Sequence, residues 1–496
     1  MPTSFNPEMG QIIPDGAGPF HATAALGSYT FSHMAGFGLL YQLTGKKEYA
    51  ELGKECFEKA LEGYHDRDRR YAFRNPHGPL RAGVVLGWTA LGYDLCYDGW
   101  DEEYRKKVCL ELANYRAVDD RQSLEGLTKG SMPPFSNHFG MQVGGSAMAL
   151  LAVWNDPWAD KKKIEALLKV SENSIIRNLT EGFGDGGFFA EGNGAGSMSS
   201  HLVFLSALQS WRIAGGKDFV SPRPNAQWAA LKWIFLTVPK EGKMNFYAYD
   251  GMYPHNIWAR TDKSGAGYFA IGMGAVSDQE KSALLWFYNH HLKESDAKEG
   301  APYDTVSPYP HLAVSSFINW PVGMKEQNPA AVIPLCYRDS KWSFYAFRNR
   351  WQDASDVLIT LQTKNAHGYG KAPTDAMLSV SGLGEKFKWA KLDGEVKSWQ
   401  PGKDGSGILT MGNGTSLAVD FSKSSGAEAT LVTTGNAEGQ KLEVGGVTMT
   451  FKFLTSNTEP KPQVQGDKVV VGDQTVTIKD GSLILGTMAV GDGQLK

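Results

Sequence analysis

Residues 133–154 read PPFSNHFGMQVGGSAMALLAVW, and this segment predicts a buried helix with a polar start. After the first polar residues, apolar side chains recur at three- and four-residue steps, which is the period of one helical face. Gly140, Gly144 and Gly145 each lower the helix propensity by up to about 1 kcal/mol relative to alanine. Three glycines in six residues therefore indicate that another part of the chain packs very closely against this backbone.

The start of the predicted helix carries the residues of chemical interest. Two prolines and Ser136 provide a breaker and a cap, so Asn137 and His138 fall in the first turn. In the first turn, main-chain N–H groups lack intrahelical acceptors and the helix dipole is positive. An amide, an imidazole and a positive helix end together suit a carboxylate ligand. The structural alternative is that Asn137 caps the helix and His138 is a core histidine.

Length and composition limit the function classes. The chain has 496 residues, too many for one compact core, so two domains are expected. Hydrophobic residues make up 42% and charged residues 21%, as in ordinary globular proteins. The net charge of −3 provides no basic field for nucleic acid. The four cysteines have no metal-ligand spacing, so we expect free thiols, no metal and no cofactor.

The sequence shows no targeting signal that would decide the cellular location of the protein. The sequence contains no run of 18 uninterrupted apolar residues, so no membrane span is expected. The first residues, MPTSFNPEMGQ, lack the basic and apolar regions of a signal peptide. The protein is therefore expected to be periplasmic or secreted if a signal peptide has been removed, and cytoplasmic otherwise.

The period of the hydrophobic residues divides the chain into a helix-like part and a strand-like part. Glycine-rich apolar helices alternate with charged amphipathic ones, which is typical of a ring of helical hairpins. The helices are predicted at 22–43, 46–63, 79–97, 101–116, 138–154, 160–178, 197–214, 225–237 and 278–293. After Pro329 the period changes to short β-rich runs separated by turns, such as DVLITLQTK, TSLAVDF and KVVVG. We predict a multidomain α and β protein, with an (α/α) helical toroid over residues 1–325 and an antiparallel β-sandwich over residues 326–496.

Four further stretches are candidates for a functional site. GFGDGGFFAEGNGAGSMSSH, residues 182–201, is a glycine-dense loop that contains Asp185 and Glu191 before a helix. YAYDGMYPHNIWAR, residues 247–260, combines Tyr253 with Arg260, whose guanidinium suits a carboxylate. Each stretch also has a structural interpretation, as a loop connection or as aromatic packing.

The other two stretches belong to the β-rich part. NAHGYGKAPTD, residues 365–375, places His367 and Tyr369 in a glycine-rich loop between strands. RDSKWSFYAFRNRW, residues 338–351, places Arg348 on a strand face that also carries aromatic rings. A structural histidine and an arginine whose stem covers apolar surface are the alternatives.

The order of these motifs resembles the heparinase II/III-like polysaccharide lyases, which include alginate and glycosaminoglycan lyases. The shared features are a helical toroid, a helix that opens with Asn-His, a DGG..EG.G segment before a helix, and a histidine loop in a β-sandwich. Such lyases cleave uronic-acid polysaccharides by β-elimination. The resemblance implies that Asn137, assisted by His138, neutralises the uronate carboxylate. It further implies that a tyrosine of the EGxGY segment and a histidine at His138 or His367 transfer protons.

The sequence departs from this pattern at two positions. The EGxGY segment reads Glu191-Gly192-Asn193-Gly194-Ala195, so alanine stands where the family has its acid/base tyrosine. Three explanations are open: a substitution made to trap substrate, which the intact remainder favours, a phenol from Tyr249, Tyr253 or Tyr369, or binding without cleavage. Where some relatives hold zinc with an HxH-type loop, the second histidine is replaced by Tyr369, so the resemblance implies no metal.

The sequence therefore predicts a lyase for an acidic polysaccharide or oligosaccharide, alginate or a glycosaminoglycan. The predicted catalytic positions are Asn137, His138, His367 and Ala195, and the predicted substrate-binding residues are Glu191, Tyr253, Arg260, Arg348 and Tyr369. One rival is a non-catalytic carbohydrate-binding homologue. The other is a glycoside hydrolase on the same toroid that uses Asp185, Glu191 or Asp250.

Overall fold

The computed structural model describes residues 28–66, 70–118, 122–192, 203–240, 270–293, 310–352, 356–363 and 394–413, together with short strands elsewhere in the chain. Within these ranges, no helix is long and apolar enough to cross a membrane.

Helices dominate the described residues up to Asn319. They are α1 (Met34–Thr44), α2 (Lys47–Leu61), α3 (Pro79–Cys96), α4 (Glu102–Ala113), α5 (Leu124–Lys129), α6 (Asn137–Val153), α7 (Lys161–Arg177), α8 (Leu205–Ile213), α9 (Pro224–Phe235), α10 (Asp278–Phe287) and α11 (Pro310–Asn319). Single π-helical turns follow α7 at Asn178–Gly182 and α10 at Tyr288–Leu292. Helices are present in all nine predicted segments, but the one predicted at 22–43 begins only at Met34, after a 3-10 turn at Phe31–His33, and α5 and α11 were not predicted.

The apolar helices pack side by side around a ring. Helix α3 contacts α1 on one side and α6 on the other, and α6 contacts α8. Gln209 of α8 donates a hydrogen bond to the side chain of Asn319 at the end of α11, and α11 contacts α1. The described apolar helices thus return to their starting point, as in a ring of hairpins, and the amphipathic helices α2 and α7 carry their charged residues on the outside.

The crossing of α3 and α6 depends on glycine. A Cβ atom added at Gly145 would lie 1.6 Å from the carbonyl oxygen of Gly83, and one added at Gly83 would lie 2.3 Å from the carbonyl oxygen of Met141. Gly144 lies similarly close to the backbone of Phe204, since a Cβ atom added there would be 2.9 Å from its Cα. The close backbone approach predicted from the glycines of α6 is confirmed, and it holds α6 directly against the backbones of α3 and of Phe204.

From Cys336 onward the described elements are strands. One five-stranded antiparallel sheet contains β5 (Cys336–Asp339), β6 (Phe344–Arg348), β7 (Leu358–Gln362), β8 (Met377–Val380) and β9 (Lys386–Lys388) in chain order. A second five-stranded sheet has β10 (Val396–Pro401), β11 (Gly407–Met411), β12 (Ser416–Asp420), β13 (Glu428–Thr434) and, beside β13, β19 (Leu483–Ala489).

The remaining strands form small sheets. They are β1 (Ser4–Phe5) with β2 (Ser28–Tyr29), β3 (Thr237–Lys240) with β4 (Lys243–Phe246), β14 (Glu443–Val444) with β15 (Val447–Thr448), and β16 (Gln463–Gln465) with β17 (Lys468–Val471) and β18 (Gln474–Thr477). The Trp399 ring lies 5.0 Å from that of Phe347, so the two larger sheets touch there. The sandwich arrangement of these sheets and the domain boundary near residue 325 stay predictions.

Candidate functional site

The first turn of α6 holds a carboxylate that belongs to the protein itself. The main-chain N–H of Asn137 donates to Oε2 of Glu191 at 2.8 Å, and Nδ2 of Asn137 donates to the same oxygen at 2.7 Å. Ser136 is the N-cap, and its Oγ accepts a bond from the N–H of His138 at 3.4 Å. Asn137 is therefore not the cap. Its main-chain N–H, which has no acceptor within the helix, and its side-chain amide both donate to one carboxylate oxygen.

The loop that follows α7 brings Glu191 to this helix start. Gly182 packs so tightly on residue 134 that an added Cβ atom would lie 2.3 Å from the Pro134 carbonyl oxygen. An antiparallel bridge between Phe183 and Phe189 then closes the loop, and Glu191 follows two residues later. Glu191 is 4% exposed, and burial raises its pKa although the two donors of Asn137 oppose this shift. The carboxyl group is therefore more readily neutral than a glutamate in water.

His138 is biased toward its neutral form. The side chain is half-buried, and burial, followed by the charge of Arg81, lowers its pKa. Arg81 lies in the first turn of α3, with its guanidinium 6.0 Å from the centre of the Tyr71 ring. A neutral imidazole can accept a proton, as a general base requires. Arg81 was not predicted from the sequence, where its only signal is a single arginine in the mainly apolar α3.

The DGG part of the loop is a contact between the helical ring and the first sheet. Asp339, at the end of β5, accepts bonds from the N–H groups of Gly186 at 3.0 Å and Phe188 at 2.9 Å, and from that of Trp342 at 3.0 Å. Asp339 is fully buried, and burial raises its pKa to about 7, to which the nearby charge of Asp185 contributes. The sequence analysis did not single out Asp339, because its signal is only a polar residue at the end of a strand.

Asp185 faces the turn after β5. Its carboxylate accepts bonds from the N–H and the hydroxyl of Ser340 and from the N–H of Lys341 at 3.2 Å. Burial favours the neutral form, but these hydrogen bonds outweigh it and hold the pKa of Asp185 below its usual range. The interactions are those of a structural carboxylate, which differs from the acid role that a hydrolase would give to Asp185.

Arg348 also has a structural environment. Its guanidinium is fully buried and donates to the carbonyl oxygens of Phe235 at 2.7 Å and Thr237 at 2.8 Å, beyond the end of α9. It also pairs with Asp356 at 3.2 Å, and burial lowers the pKa of Arg348 to about 10. These contacts do not fit the substrate-binding role predicted for Arg348, because its donors already bind main-chain and carboxylate oxygens inside the protein.

The other predicted site residues lie outside the described residues. These are Ala195, Tyr253, Arg260, His367 and Tyr369, as well as Tyr249 and Asp250 of the alternative interpretations. In the part of the chain that the structure describes, no three His, Cys, Asp or Glu side chains form a group that could hold a metal ion. Of the predicted residues, the structure therefore brings together Asn137, His138 and Glu191.

Comparisons with known proteins give only distant similarities. No family model matches the sequence, and no curated protein matches it. Among solved structures, a heparan sulfate lyase mutant from Pedobacter heparinus aligns with a TM-score of 0.43 and 12% identity, over 82% of this chain and 62% of that one. A mutant of the chondroitin AC lyase from Streptomyces coelicolor A3 also aligns with a TM-score of 0.43 and 12% identity, over 82% of this chain and 61% of that one. The chain thus spans less than two thirds of the length of either lyase, and similarity at this level does not identify its function.

Proposed function

We propose that this protein is a polysaccharide lyase that acts on a uronic-acid-containing polysaccharide or oligosaccharide, alginate or a glycosaminoglycan, by β-elimination. The observation that carries the proposal is the pair of hydrogen bonds from Asn137 to one carboxylate oxygen of Glu191 at the start of α6. The same donors match the carboxylate of a uronate.

Elimination requires the uronate carboxylate to be neutralised first. The proton on C5 is weakly acidic beside an ionised carboxylate, and hydrogen-bond donors aimed at that group stabilise the enolate that develops. Asn137 supplies two donors at a positive helix end, and Glu191, which accepts both in this structure, must release them to the uronate carboxylate. Burial raises the pKa of Glu191, so its carboxyl group is protonated more readily, and in that form its O–H can donate a hydrogen bond to the substrate carboxylate.

The second requirement is a base for the C5 proton. His138 follows Asn137 directly, and its lowered pKa keeps the imidazole neutral and ready to accept a proton. The acid that protonates the departing glycosidic oxygen is the role that the resemblance gives to position 195, where this chain has alanine. We therefore expect the chain as given to bind substrate and to turn it over slowly or not at all.

The test measures the ultraviolet absorbance of unsaturated products on alginate, hyaluronan, chondroitin and heparan chains. We expect Ala195→Tyr to raise turnover on one of them by about 10²- to 10⁴-fold, the usual contribution of an acid–base group. Saturated products would instead indicate a hydrolase. Absence of any product in both proteins, with retained binding, would indicate a carbohydrate-binding homologue.

A second variant tests the role of Asn137 in the Ala195→Tyr protein. Asn137→Ala should lower turnover about a hundredfold and weaken binding much less, because charge on the carboxylate grows toward the transition state. Asn114→Ala is the matched control, since Asn114 is an exposed residue at the end of α4. A purely structural Asn137 would lower the melting temperature and leave the turnover of folded molecules unchanged.

A further inference from the structure

A cavity lies at the ends of α8 and α11. It has a volume of about 440 Å³, within the range of small-ligand pockets. Its walls include Arg212, Lys281, Asn319 and Trp320. None of its lining residues belongs to the site around Asn137 and Glu191.

The polar groups on the cavity wall are mainly donors. Oδ1 of Asn319 already accepts a bond from Nε2 of Gln209, and the carbonyl oxygen of Gly274 accepts one from Nη2 of Arg212 at 2.9 Å. Asn319 is 7% exposed, and its Nδ2 has no hydrogen-bond partner among the described residues. Since these two acceptors are used and the Nδ2 donor of Asn319 remains, the wall suits a ligand that brings acceptor oxygens.

The charges on the wall favour an anionic ligand. Arg212 is exposed, and Lys281 pairs with Asp278 at 2.9 Å. The Asp278 side chain is 84% exposed, and ion pairs of this kind contribute little to stability. Lys281 can therefore exchange this partner for a ligand. Asp218 also lies near Arg212, but its carboxylate already accepts hydrogen bonds from Val220 and Ser221.

The aromatic and apolar part of the wall favours an organic molecule over an inorganic anion. Trp320 is partly buried and is held by an edge contact with Tyr288, with the ring centres 4.7 Å apart. Met273 and Met324 lie on the same wall. The floor needs glycine at position 274, where an added Cβ atom would lie 2.6 Å from Oε1 of Gln209.

We propose that this cavity binds a small organic carboxylate, supplied either by a free acid or by the uronate unit of a saccharide. Arg212 and Lys281 face the carboxylate, and Trp320 packs against its carbon skeleton. This assignment does not depend on lyase activity.

Titration calorimetry at low ionic strength on the full chain tests the proposal, and the charge-removal variants described next separate binding in this cavity from binding at the start of α6. The probes are glucuronate, propionate and neutral glucose. We expect glucuronate to bind and glucose not to bind. Binding of propionate as well identifies free acids as a source, whereas binding of glucuronate alone identifies the saccharide.

Charge removal locates the site. Lys281→Gln and Arg212→Gln should each weaken glucuronate binding about tenfold, the usual effect of losing a hydrogen bond to a charged group. Lys161→Gln, which removes an exposed lysine on α7 away from the cavity, should leave binding unchanged. Lys281→Gln removes an ion pair whose aspartate is 84% exposed and should stay folded, which a thermal melt checks. The proposal is overturned if neither acid binds, if glucose binds equally well, or if Lys281→Gln binds as tightly as its parent.

Discussion

Asn137 shows how one residue can combine two donors at a helix start. Its main-chain N–H has no acceptor within the helix because it lies in the first turn, so it donates to Glu191. Its side-chain amide donates to the same oxygen of Glu191. The position of Asn137 in that first turn was predicted from Ser136 and the prolines before it, and it is confirmed by the structure. The partner was not predicted, because Glu191 lies 54 residues away and no local period connects the two residues.

Glu191→Gln should change how the stability of the protein depends on pH. The folded-state pKa of Glu191 is raised, so its contribution to stability is fully present below the unfolded value near 4.5 and is lost as the pH rises through the folded value. Glutamine keeps an oxygen for Asn137 but cannot ionise. Denaturant unfolding between pH 4 and pH 7 should therefore show a smaller loss of stability in the variant than in the parent.

Glu165→Gln is the control for this measurement, because Glu165 is an exposed residue on α7. It should follow the parent at every pH. Identical pH profiles for the parent and Glu191→Gln would mean that Glu191 ionises as freely in the folded state as in the unfolded chain.

At the scale of elements, the DGG loop differs most from its sequence-based interpretations. Glycine density is typical of a flexible connection, yet Gly186 and Phe188 donate to Asp339 and fix the loop on the end of β5. The glycines leave room for this contact, since a Cβ atom added at Gly184 would lie 1.9 Å from Oδ1 of Asp339. A sequence does not show which distant carboxylate will fill the space that a glycine leaves.

Asp339 should make the stability of the protein depend on pH over a defined range. Its folded-state pKa is about 7 and its ordinary value is 3.8, so stability is fully present below about pH 4 and is lost as the pH rises through 7. The total loss is at most roughly 4 kcal/mol, at 1.36 kcal/mol for each unit of the shift. Asp339→Asn should reduce this slope in unfolding experiments, although one of the three N–H groups then loses its acceptor.

Asp98→Asn serves as the control, because Asp98 is exposed and lies after α3. It should leave the slope between pH 4 and pH 7 unchanged. An unchanged slope in Asp339→Asn would assign the pH dependence to other groups.

At the scale of the whole molecule, the change of hydrophobic period near Pro329 predicted where helices are replaced by strands. The described helices end with α11, apart from a short 3-10 turn at Pro329–Ala331, and the strands of the first large sheet begin at Cys336. The contacts that join the two parts were not predictable, because they pair groups far apart in the chain. Arg348 reaches the carbonyl oxygens of Phe235 and Thr237, and the Phe188 ring stacks on that of Phe344 with centres 4.4 Å apart.

Arg348→Met should destabilise the protein by roughly 3–5 kcal/mol, because it leaves a buried carboxylate and two buried carbonyl oxygens without this guanidinium. Arg338→Met is the control on the neighbouring strand, where the side chain is exposed. Thermal and denaturant unfolding measure the difference. A loss below 1 kcal/mol for Arg348→Met would mean that the ring and the sheet are joined mainly by their apolar contacts.

The contact between Gly83 and Gly145 has a consequence for reading large sets of variants. A side chain at either position must push α3 and α6 apart, and this movement would displace Asn137, which lies two turns before Gly145 on the same helix. In a mutational scan of the Ala195→Tyr protein scored by activity alone, both glycines would resemble catalytic residues although neither has a reactive group. Scoring cellular abundance in parallel would separate the two classes: substitutions at the glycines reduce abundance and activity together, whereas substitutions at His138 reduce activity at normal abundance.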